Sequence, residues 1–157
     1  MTLDALPQAR LNRVTARLKA NGHRLTPQRL AVLRTLIGSD QHPSVEQIYR
    51  QVRQDFPTTS LATVYNTLEC LKGLGEVLEV PLGGGSRYDG RKPEPHAHLI
   101  CTACSRIEDL DIDLGGATRA VVQERGYAEV RQRLEFYGVC PNCQGRVQIG
   151  KGKLEGR

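Results

Sequence analysis

Two C-x-x-C pairs constrain this chain more than any other feature of its sequence. The pairs are Cys101/Cys104 and Cys140/Cys143, and residues 105–139 separate them. Each C-x-x-C turn presents two thiolates to one metal, and two such turns complete the tetrahedral sulfur shell that suits Zn²⁺. The separation is longer than in a zinc ribbon, so we expect a folded insert between the pairs. The sequence therefore predicts a structural zinc site in the second half of the chain.

Two other interpretations of these cysteines stay open. A thioredoxin-like redox centre needs only one C-x-x-C pair, and the four thiols could instead be buried and free. Thiol titration after metal removal would discriminate a redox protein from a zinc site. Cys70, the fifth cysteine, lies in a predicted helix and receives no role.

The first half of the chain reads as four helices. Leu11, Val14 and Leu18 form the apolar stripe of the first helix. Thr26-Pro27, Ser44 and Ser60 are start signals for the next three, because a hydroxyl caps the first turn and proline needs no donor there. Helix ends are indicated by Gly22, Gly38, Pro57 and Gly73.

A glycine-rich turn follows these helices. Residues 76–80 and 87–89 are short extended runs on either side of residues 83–86, which predicts a β-hairpin. Helices followed by such a hairpin make a winged helix, whose last helix enters the major groove of DNA. We therefore predict a winged-helix DNA-binding domain over residues 1–89.

The second half has a mixed pattern. Residues 90–95 have the composition of a linker, strands are predicted over 98–101 and 106–112, a helix over 114–125, and strand character over 127–137. These elements predict a small α/β domain over residues 90–157. The chain as a whole is expected to be α+β.

The charge distribution is consistent with this division. Residues 1–30 contain six basic side chains and one acid, which accounts for the whole net charge of +5, whereas residues 108–113 form an acidic run. Basic charge at one end and acidic charge near the other are typical of a nucleic-acid-binding half and a cation-binding half.

Histidines and carboxylates form a second group of candidate metal ligands. His96 and His98 alternate on one face of a strand, and His42 lies in the loop that opens the third helix. Asp89 ends the hairpin, and Asp109 follows the first cysteine pair. Imidazole and carboxylate donors suit Fe²⁺, Mn²⁺ or Zn²⁺. Spacing alone does not establish that the five side chains converge.

In this order the motifs resemble the ferric uptake regulator (Fur) family. They span roughly residues 10–143 and lie at residues 24–29, 42–43, 60–68, 87–89, 96–104 and 137–143. The resemblance implies a homodimeric winged-helix repressor with a structural four-cysteine zinc site. It also implies a regulatory metal between the two halves and a small α/β dimerisation domain.

Within the family, the chain looks most like the peroxide-sensing PerR branch. The regulatory ligands of that branch match His42, Asp89, His96, His98 and Asp109. Aspartate at the last position is typical of that branch, where iron sensors usually carry glutamate. The adjacent Glu108 leaves open which carboxylate binds. A further histidine-rich site of iron sensors has no match here. The regulatory cysteine of zinc sensors has no match outside the two C-x-x-C pairs, unless the distant Cys70 reaches the site.

This resemblance implies a specific mechanism. Fe²⁺ reacts with hydrogen peroxide, a bound imidazole of His42 or His96 is oxidised, and DNA binding is lost. Mn²⁺ would support DNA binding without this chemistry.

The resemblance also points to DNA contacts. Small and hydroxylated side chains at the start of the recognition helix suit phosphate contacts and close approach to base edges. Arginines in the first helices would mainly neutralise phosphates. The predicted contacts are Thr59, Ser60, Ala62, Thr63, Tyr65, Asn66, Arg10, Arg13, Arg17, Arg24 and Arg29.

The main rival is a regulator of the same family that senses Fe²⁺ or Zn²⁺ concentration. A non-haem iron oxygenase could also use two histidines and a carboxylate, but it would leave the winged helix unexplained, so we expect no enzyme. The chain has no run of about 18 apolar residues and no secretory signal over residues 1–10. We expect a cytoplasmic protein whose partners are a double-stranded DNA operator and a second copy of itself, with peroxide as its only small-molecule substrate.

Overall fold

The computed structural model describes residues 5–113 and 115–146. The predicted domains and the predicted absence of a secretory signal also involve residues 1–4, 114 and 147–157, which lie outside the described residues. The chain divides into two compact units, Met1–Pro95 and His96–Arg157. The predicted linker thus falls within the first unit. No described helix has the length and apolar character needed to cross a bilayer.

Four helices open the first unit, and their starts follow the predicted caps. The side chain of Thr26 accepts a hydrogen bond from the N–H of Arg29, and that of Ser60 accepts one from Thr63. Ser44 and Gln47 form a complete capping box. The helices are α1 (Ala5–Ala20), α2 (Pro27–Gly38), α3 (Val45–Asp55) and α4 (Leu61–Gly73).

The core of the first unit consists of the apolar stripes of these helices. Leu18, Val32, Ile48 and Leu68, one from each helix, are fully buried in a single cluster. Each buried aliphatic side chain contributes about 1.5–3 kcal/mol relative to an exposed one. The four stripes together hold α4 in place, with its opposite face exposed.

The predicted hairpin forms with a small shift in its start. Strand β1 (Leu78–Leu82) pairs antiparallel with β2 (Gly85–Asp89). Residues 76 and 77 were predicted as strand but instead form the exit from α4, where the N–H of Glu76 donates a hydrogen bond to Leu71 O. Gly85 has a φ of 131°, a conformation that side chains rarely adopt, which explains a glycine at this turn.

Strand β2 is attached to the loop before α3. The N–H of Tyr88 donates to Pro43 O at 3.1 Å, and Arg87 bridges Ser44 in an isolated antiparallel pair. The Arg87 guanidinium also donates to Gln47 of the capping box at 2.7 Å. The segments that carry His42 and Asp89 are therefore bonded to each other.

A buried ion pair joins α1 to the exit of α4. Arg10 Nη1 lies 2.6 Å from Glu76 Oε2, with side-chain exposures of 8% and 3%. Arg17, which is 54% exposed, contacts the other oxygen of Glu76 at 2.7 Å. A carboxylate this deeply buried needs such partners, because desolvation of an unpaired charge costs several kcal/mol.

The described residues of the second unit form a three-stranded sheet and two helices. Its elements are β3 (Ala97–Cys101), β4 (Ile107–Leu110), α5 (Gly115–Arg125), β5 (Glu135–Gly138) and α6 (Pro141–Gln144). The strand order is β4-β3-β5, with β4 antiparallel and β5 parallel to β3. With the first unit, this arrangement confirms the predicted α+β class.

One strand is much shorter than its composition suggested. Residues 127–137 were predicted to have strand character, but only Glu135–Gly138 forms a strand. β5 pairs with β3 from His98 onward, and β3 itself begins at Ala97. The chain before residue 134 therefore lies beyond the start of β3, and the strand does not extend into it.

The buried ion pair predicts a large stability loss when it is broken. Glu76→Ala leaves the Arg10 guanidinium buried without its carboxylate, so the free energy of unfolding should fall by about 3 kcal/mol. Urea unfolding of the zinc-loaded protein measures this. The control is Glu69→Ala, which removes a 64%-exposed partner of Lys72 and should cost less than about 1 kcal/mol. Equal losses in the two variants would contradict the assignment.

Candidate functional site

The four cysteines of the C-x-x-C pairs lie on two tight turns of the second unit. Cys101 ends β3, and the chain turns back through hydrogen bonds from Ser105 N–H to Cys101 O and from Cys101 N–H to Arg106 O. Ser105 has a φ of 59°, which lets the turn close directly after Cys104. The second turn is the start of α6, where Cys140 is the N-cap residue and Cys143 lies within the helix.

The structure brings these four sulfur atoms together. All four lie within 4.8 Å of one another, and Cys104 Sγ is 3.9 Å from Cys140 Sγ. A tetrahedron with Zn–S bonds of about 2.3 Å has edges of about 3.8 Å. The residues present therefore fit a tetrahedral four-sulfur site.

The four thiols of the cluster shift one another's ionisation. The Cys140 N–H donates to Cys101 Sγ at 3.3 Å and lowers the pKa of that thiol to about 6. Contact with the sulfurs of Cys140 and then Cys104 raises the pKa of Cys143 to about 12. A fully ionised set of four thiolates would repel one another, and a divalent cation removes that repulsion.

A second group of potential metal ligands lies at the end of β3 opposite to Cys101 and on the neighbouring strand β4. His96 Nε2 is 3.1 Å from Asp109 Oδ1, and His98 Nε2 is 3.8 Å from the same oxygen. The two imidazole rings have centroids 4.4 Å apart. Each of the three residues offers a ligand atom within 4.8 Å of the others, so the second unit holds a three-donor half-site.

Strand register decides which carboxylate belongs to this half-site. Asp109 lies directly opposite His98 in the β3–β4 pair, whereas Glu108 lies opposite Leu99. Successive side chains of a strand point to opposite faces, so Glu108 points away from the histidines. Its carboxylate instead pairs with Arg106 at 3.1 Å. The half-site therefore uses Asp109.

The first unit holds the other two predicted ligands. His42 Nε2 lies 3.8 Å from Asp89 Oδ2, and both residues are buried. His42 has a φ of 48°, an uncommon conformation for a residue without special backbone freedom. It is held there although the following Pro43 favours extended backbone. Strained backbone of this kind clusters at binding sites, where the surrounding structure over-determines it.

Sequence reasoning missed the turn that orients Asp89. Its Oδ1 atom accepts hydrogen bonds from the backbone N–H groups of Arg91 at 2.7 Å and Lys92 at 3.1 Å. An aspartate followed by glycine at a strand end is typical of such a turn, because a short carboxylate caps the next backbone donors. Asp89-Gly90 was the signal that would have found it.

The predicted DNA-contact residues of α4 lie on its exposed face. Ala62 and Asn66 are exposed, and Tyr65 is 43% exposed. Ser60 caps the helix through Thr63, and their hydroxyl oxygens are 2.9 Å apart. Thr59 is different, because it is only 5% exposed and its side chain is not displayed on this surface.

The predicted phosphate contacts also divide by exposure. Arg13 and Arg24 are exposed, Arg17 is half-exposed beside Glu76, and Arg29 is half-buried with its guanidinium on Arg24 O. The environment of Arg10 does not fit its predicted role as a phosphate contact. It is 8% exposed and its donors are engaged by Glu76 and Gly90.

Comparison with known proteins bears on these sites. A profile of the ferric uptake regulator family matches residues 20–137. The peroxide-responsive repressor PerR of Staphylococcus saprophyticus is 37% identical over 130 residues, covering 82% of this chain and 88% of that protein.

Two solved structures share the fold. The ferric uptake regulator of Helicobacter pylori, described with three functional metal-binding sites, superposes with a TM-score of 0.71 at 28% identity and covers 88% of this chain and 93% of its own. A zinc uptake regulator complexed with zinc and DNA gives a TM-score of 0.66 at 26% identity, covering 91% and 96%. On the family profile and the sequence relative together, the chain belongs to the ferric uptake regulator family.

Proposed function

We propose that this protein is a metal-dependent transcriptional repressor that responds to peroxide. The observation that carries the proposal is the half-site of His96, His98 and Asp109, in which the described donors are imidazole and carboxylate only. These donors suit Fe²⁺, Mn²⁺ or Zn²⁺, whereas thiolate would favour zinc over the other two. The family comprises transcriptional regulators rather than enzymes, and the relative named PerR adds support for peroxide as the signal.

The proposed regulatory site uses five ligands. His42 and Asp89 supply one imidazole and one carboxylate, and His96, His98 and Asp109 supply two imidazoles and one carboxylate. Five donors would leave a sixth octahedral position for peroxide. Asp109 is central, because its Oδ1 atom lies 3.1 Å from His96 Nε2 and 3.8 Å from His98 Nε2. A glutamate there would place its carboxylate one carbon further from the strand.

The residues then determine what peroxide does. When bound, ferrous iron would activate the O–O bond of peroxide for cleavage; one oxygen atom would add to an imidazole ligand and the other would leave as water. His42 and His96 are the ligands proposed to take up oxygen, and an oxidised imidazole is a poor donor. Losing a ligand weakens metal binding and with it the DNA-binding form. Mn²⁺ would support DNA binding and resist this oxidation.

The four-cysteine cluster is proposed to hold structural zinc. Its sulfur geometry supports this assignment, and so does the small core of the second unit. Among the described residues of that unit, the buried ones that are fully apolar are Ala97, Ile100 and Ile107, and α5 has no buried side chain. A unit with so little buried apolar area needs a metal or a partner to be stable.

Exposed apolar side chains in the second unit support a homodimer. Tyr127 is 69% exposed, Tyr137 59% and Val121 46%. Large apolar side chains left exposed on one small unit are candidates for burial against a partner. The proposed partners are therefore a second copy of the chain and a double-stranded DNA operator.

The proposed DNA contacts are the displayed residues of α4 and the accessible arginines. They are Ser60, Ala62, Thr63, Tyr65, Asn66, Arg13, Arg17, Arg24 and Arg29. Arg10 and Thr59 are left out because both are buried. A regulator of this kind acts where the chromosome is, so we place its action in the cytoplasm. Sensing of Fe²⁺ or Zn²⁺ concentration is the alternative.

The zinc assignment predicts a coupled loss. Cys101→Ser or Cys140→Ser should lose zinc and the dimer together, because the sulfur cluster supplies the folding energy that the small core lacks. Elemental analysis and light scattering measure the two properties. Cys70→Ser, outside the cluster, is the matched control and should retain both. A Cys101→Ser protein that is dimeric and zinc-replete would refute the structural role.

The DNA assignment predicts a salt-dependent interaction that requires regulatory metal. With a duplex selected from random sequence by the Mn²⁺ form, protein containing only structural zinc should bind far more weakly. Arg13→Gln should reduce the slope of log affinity against log salt by about one per lost phosphate contact, as fluorescence anisotropy can measure. Arg119→Gln, on exposed α5, should leave the slope unchanged. Equally tight binding without added Mn²⁺ would contradict the metal switch.

The peroxide assignment predicts a localised oxidation. A brief peroxide pulse on the Fe²⁺ form should add about 16 Da, one oxygen atom, to a peptide with His42 or His96, and DNA binding should be lost. Mass spectrometry locates the change, with the His23 peptide as internal control and the Mn²⁺ protein as resistant control. Asp109→Glu should keep metal and slow the oxidation. Unmodified His42 and His96 with intact DNA binding would favour an Fe²⁺ or Zn²⁺ concentration sensor.

A further inference from the structure

Arg10 makes a contact that its ion pair with Glu76 does not require. Nη1 and Nη2 of Arg10 donate to the side chain and the backbone carbonyl of Glu76, at 2.6 and 2.9 Å. Nε donates in a different direction, to the carbonyl oxygen of Gly90 at 3.1 Å. The planar guanidinium thus connects the exit of α4 with the residue that follows Asp89, and only a forked donor can serve both.

The α-carbon of Gly90 packs closely against Leu36 of α2. A Cβ placed on Gly90 would lie 2.9 Å from Leu36 Cβ and 3.3 Å from the Leu36 carbonyl carbon. Contacts this short leave no room for a side chain, which explains why glycine occupies the position. Between Leu36 of α2 and Arg10 of α1, the 90–91 peptide has little freedom to rotate.

That peptide also binds the Asp89 carboxylate. The Gly90 carbonyl and the Arg91 N–H belong to the same planar peptide group, and this N–H donates to Asp89 Oδ1 at 2.7 Å. One peptide plane therefore accepts a hydrogen bond from Arg10 and donates one to Asp89. A cationic donor on the carbonyl polarises the amide and strengthens the bond at its other end.

The orientation of Asp89 follows from this arrangement. With Oδ1 held by Arg91 and Lys92, Oδ2 is the oxygen that faces His42, at 3.8 Å from Nε2. Rotation of the carboxylate would break both backbone hydrogen bonds. The metal-facing oxygen is thus selected before any ion arrives.

We propose that Arg10 is a positioning residue for the regulatory metal site, acting on Asp89 through the 90–91 peptide. The proposal rests on the proposed function in one respect, which is that Asp89 is a metal ligand. Outer groups that orient a ligand typically change metal affinity 10- to 100-fold when removed. Because Arg10 belongs to α1, the docking of that helix and metal binding favour each other reciprocally.

The test compares variants that separate positioning from charge and from fold stability. Arg10→Lys keeps a cation for Glu76 but lacks the fork that also reaches Gly90. The double variant Arg10→Met/Glu76→Leu removes the buried charges together and fills the space with apolar groups, a replacement that need not destabilise the fold. Arg17→Met is the matched control, because it removes the other cationic partner of Glu76 and leaves the hydrogen bond from Arg10 to Gly90 in place.

Two measurements are made on the zinc-loaded protein. The first is hydrogen exchange of the Arg91 and Lys92 amides by NMR, without regulatory metal. The second is Mn²⁺ affinity by competition with a chelator. Both Arg10 variants should lose protection at the two amides and bind Mn²⁺ about 10- to 100-fold more weakly, and Arg17→Met should match the wild type in both. Neither readout involves DNA, so the proposed phosphate contact of Arg17 does not enter.

The outcomes distinguish this inference from the proposed function. Unchanged exchange and unchanged Mn²⁺ affinity in both Arg10 variants would overturn the positioning role, and so would equal losses in Arg17→Met. A wild-type protein that binds no Mn²⁺ would overturn the proposed metal site and the role of Arg10 in it. In that case, faster exchange confined to the Arg10 variants would still identify Arg10 as the residue that orients Asp89.

Discussion

Like-charged donors that are brought close together need a cation between them, and this constraint governs the second unit. Four sulfur atoms within 4.8 Å of one another cannot all ionise without an opposing charge. The cluster joins the end of β3 to the start of α6, elements 39 residues apart at Cys101 and Cys140. Where so few apolar side chains are buried, the free energy of binding the proposed zinc would be part of the free energy of folding.

The first unit meets a related constraint with protein groups alone. Glu76 is a buried carboxylate, and its charge is balanced by Arg10 and Arg17 of α1. This pairing fixes α1 against the chain that leaves α4. The same guanidinium then reaches the turn that carries Asp89, so a charge balanced for stability also orders a candidate metal ligand. One buried residue therefore links the helix core to the proposed sensing chemistry.

Much of the fold could be predicted because its signals are local. A hydroxyl before an apolar stripe identifies a helix start within one turn, and Thr26, Ser44 and Ser60 all cap their helices. Strand ends were less predictable. β5 is short because the chain before it lies beyond the start of β3, and the position of that start is set by a segment more than thirty residues away. Composition contains no information about the position of that start.

The sequence by itself determined the order of the secondary-structure elements, the grouping of four cysteines into one candidate metal site and the kinds of metal-donor atoms available to each site. These follow from residue chemistry and from hydrogen bonds between near neighbours in the chain. Only the tertiary structure decided between Glu108 and Asp109, because strand register places one opposite His98 and the other opposite Leu99. Only the tertiary structure showed that Arg10 is buried rather than exposed. The burial of Arg10 depends on Glu76 and Gly90, which are distant in sequence and close in space.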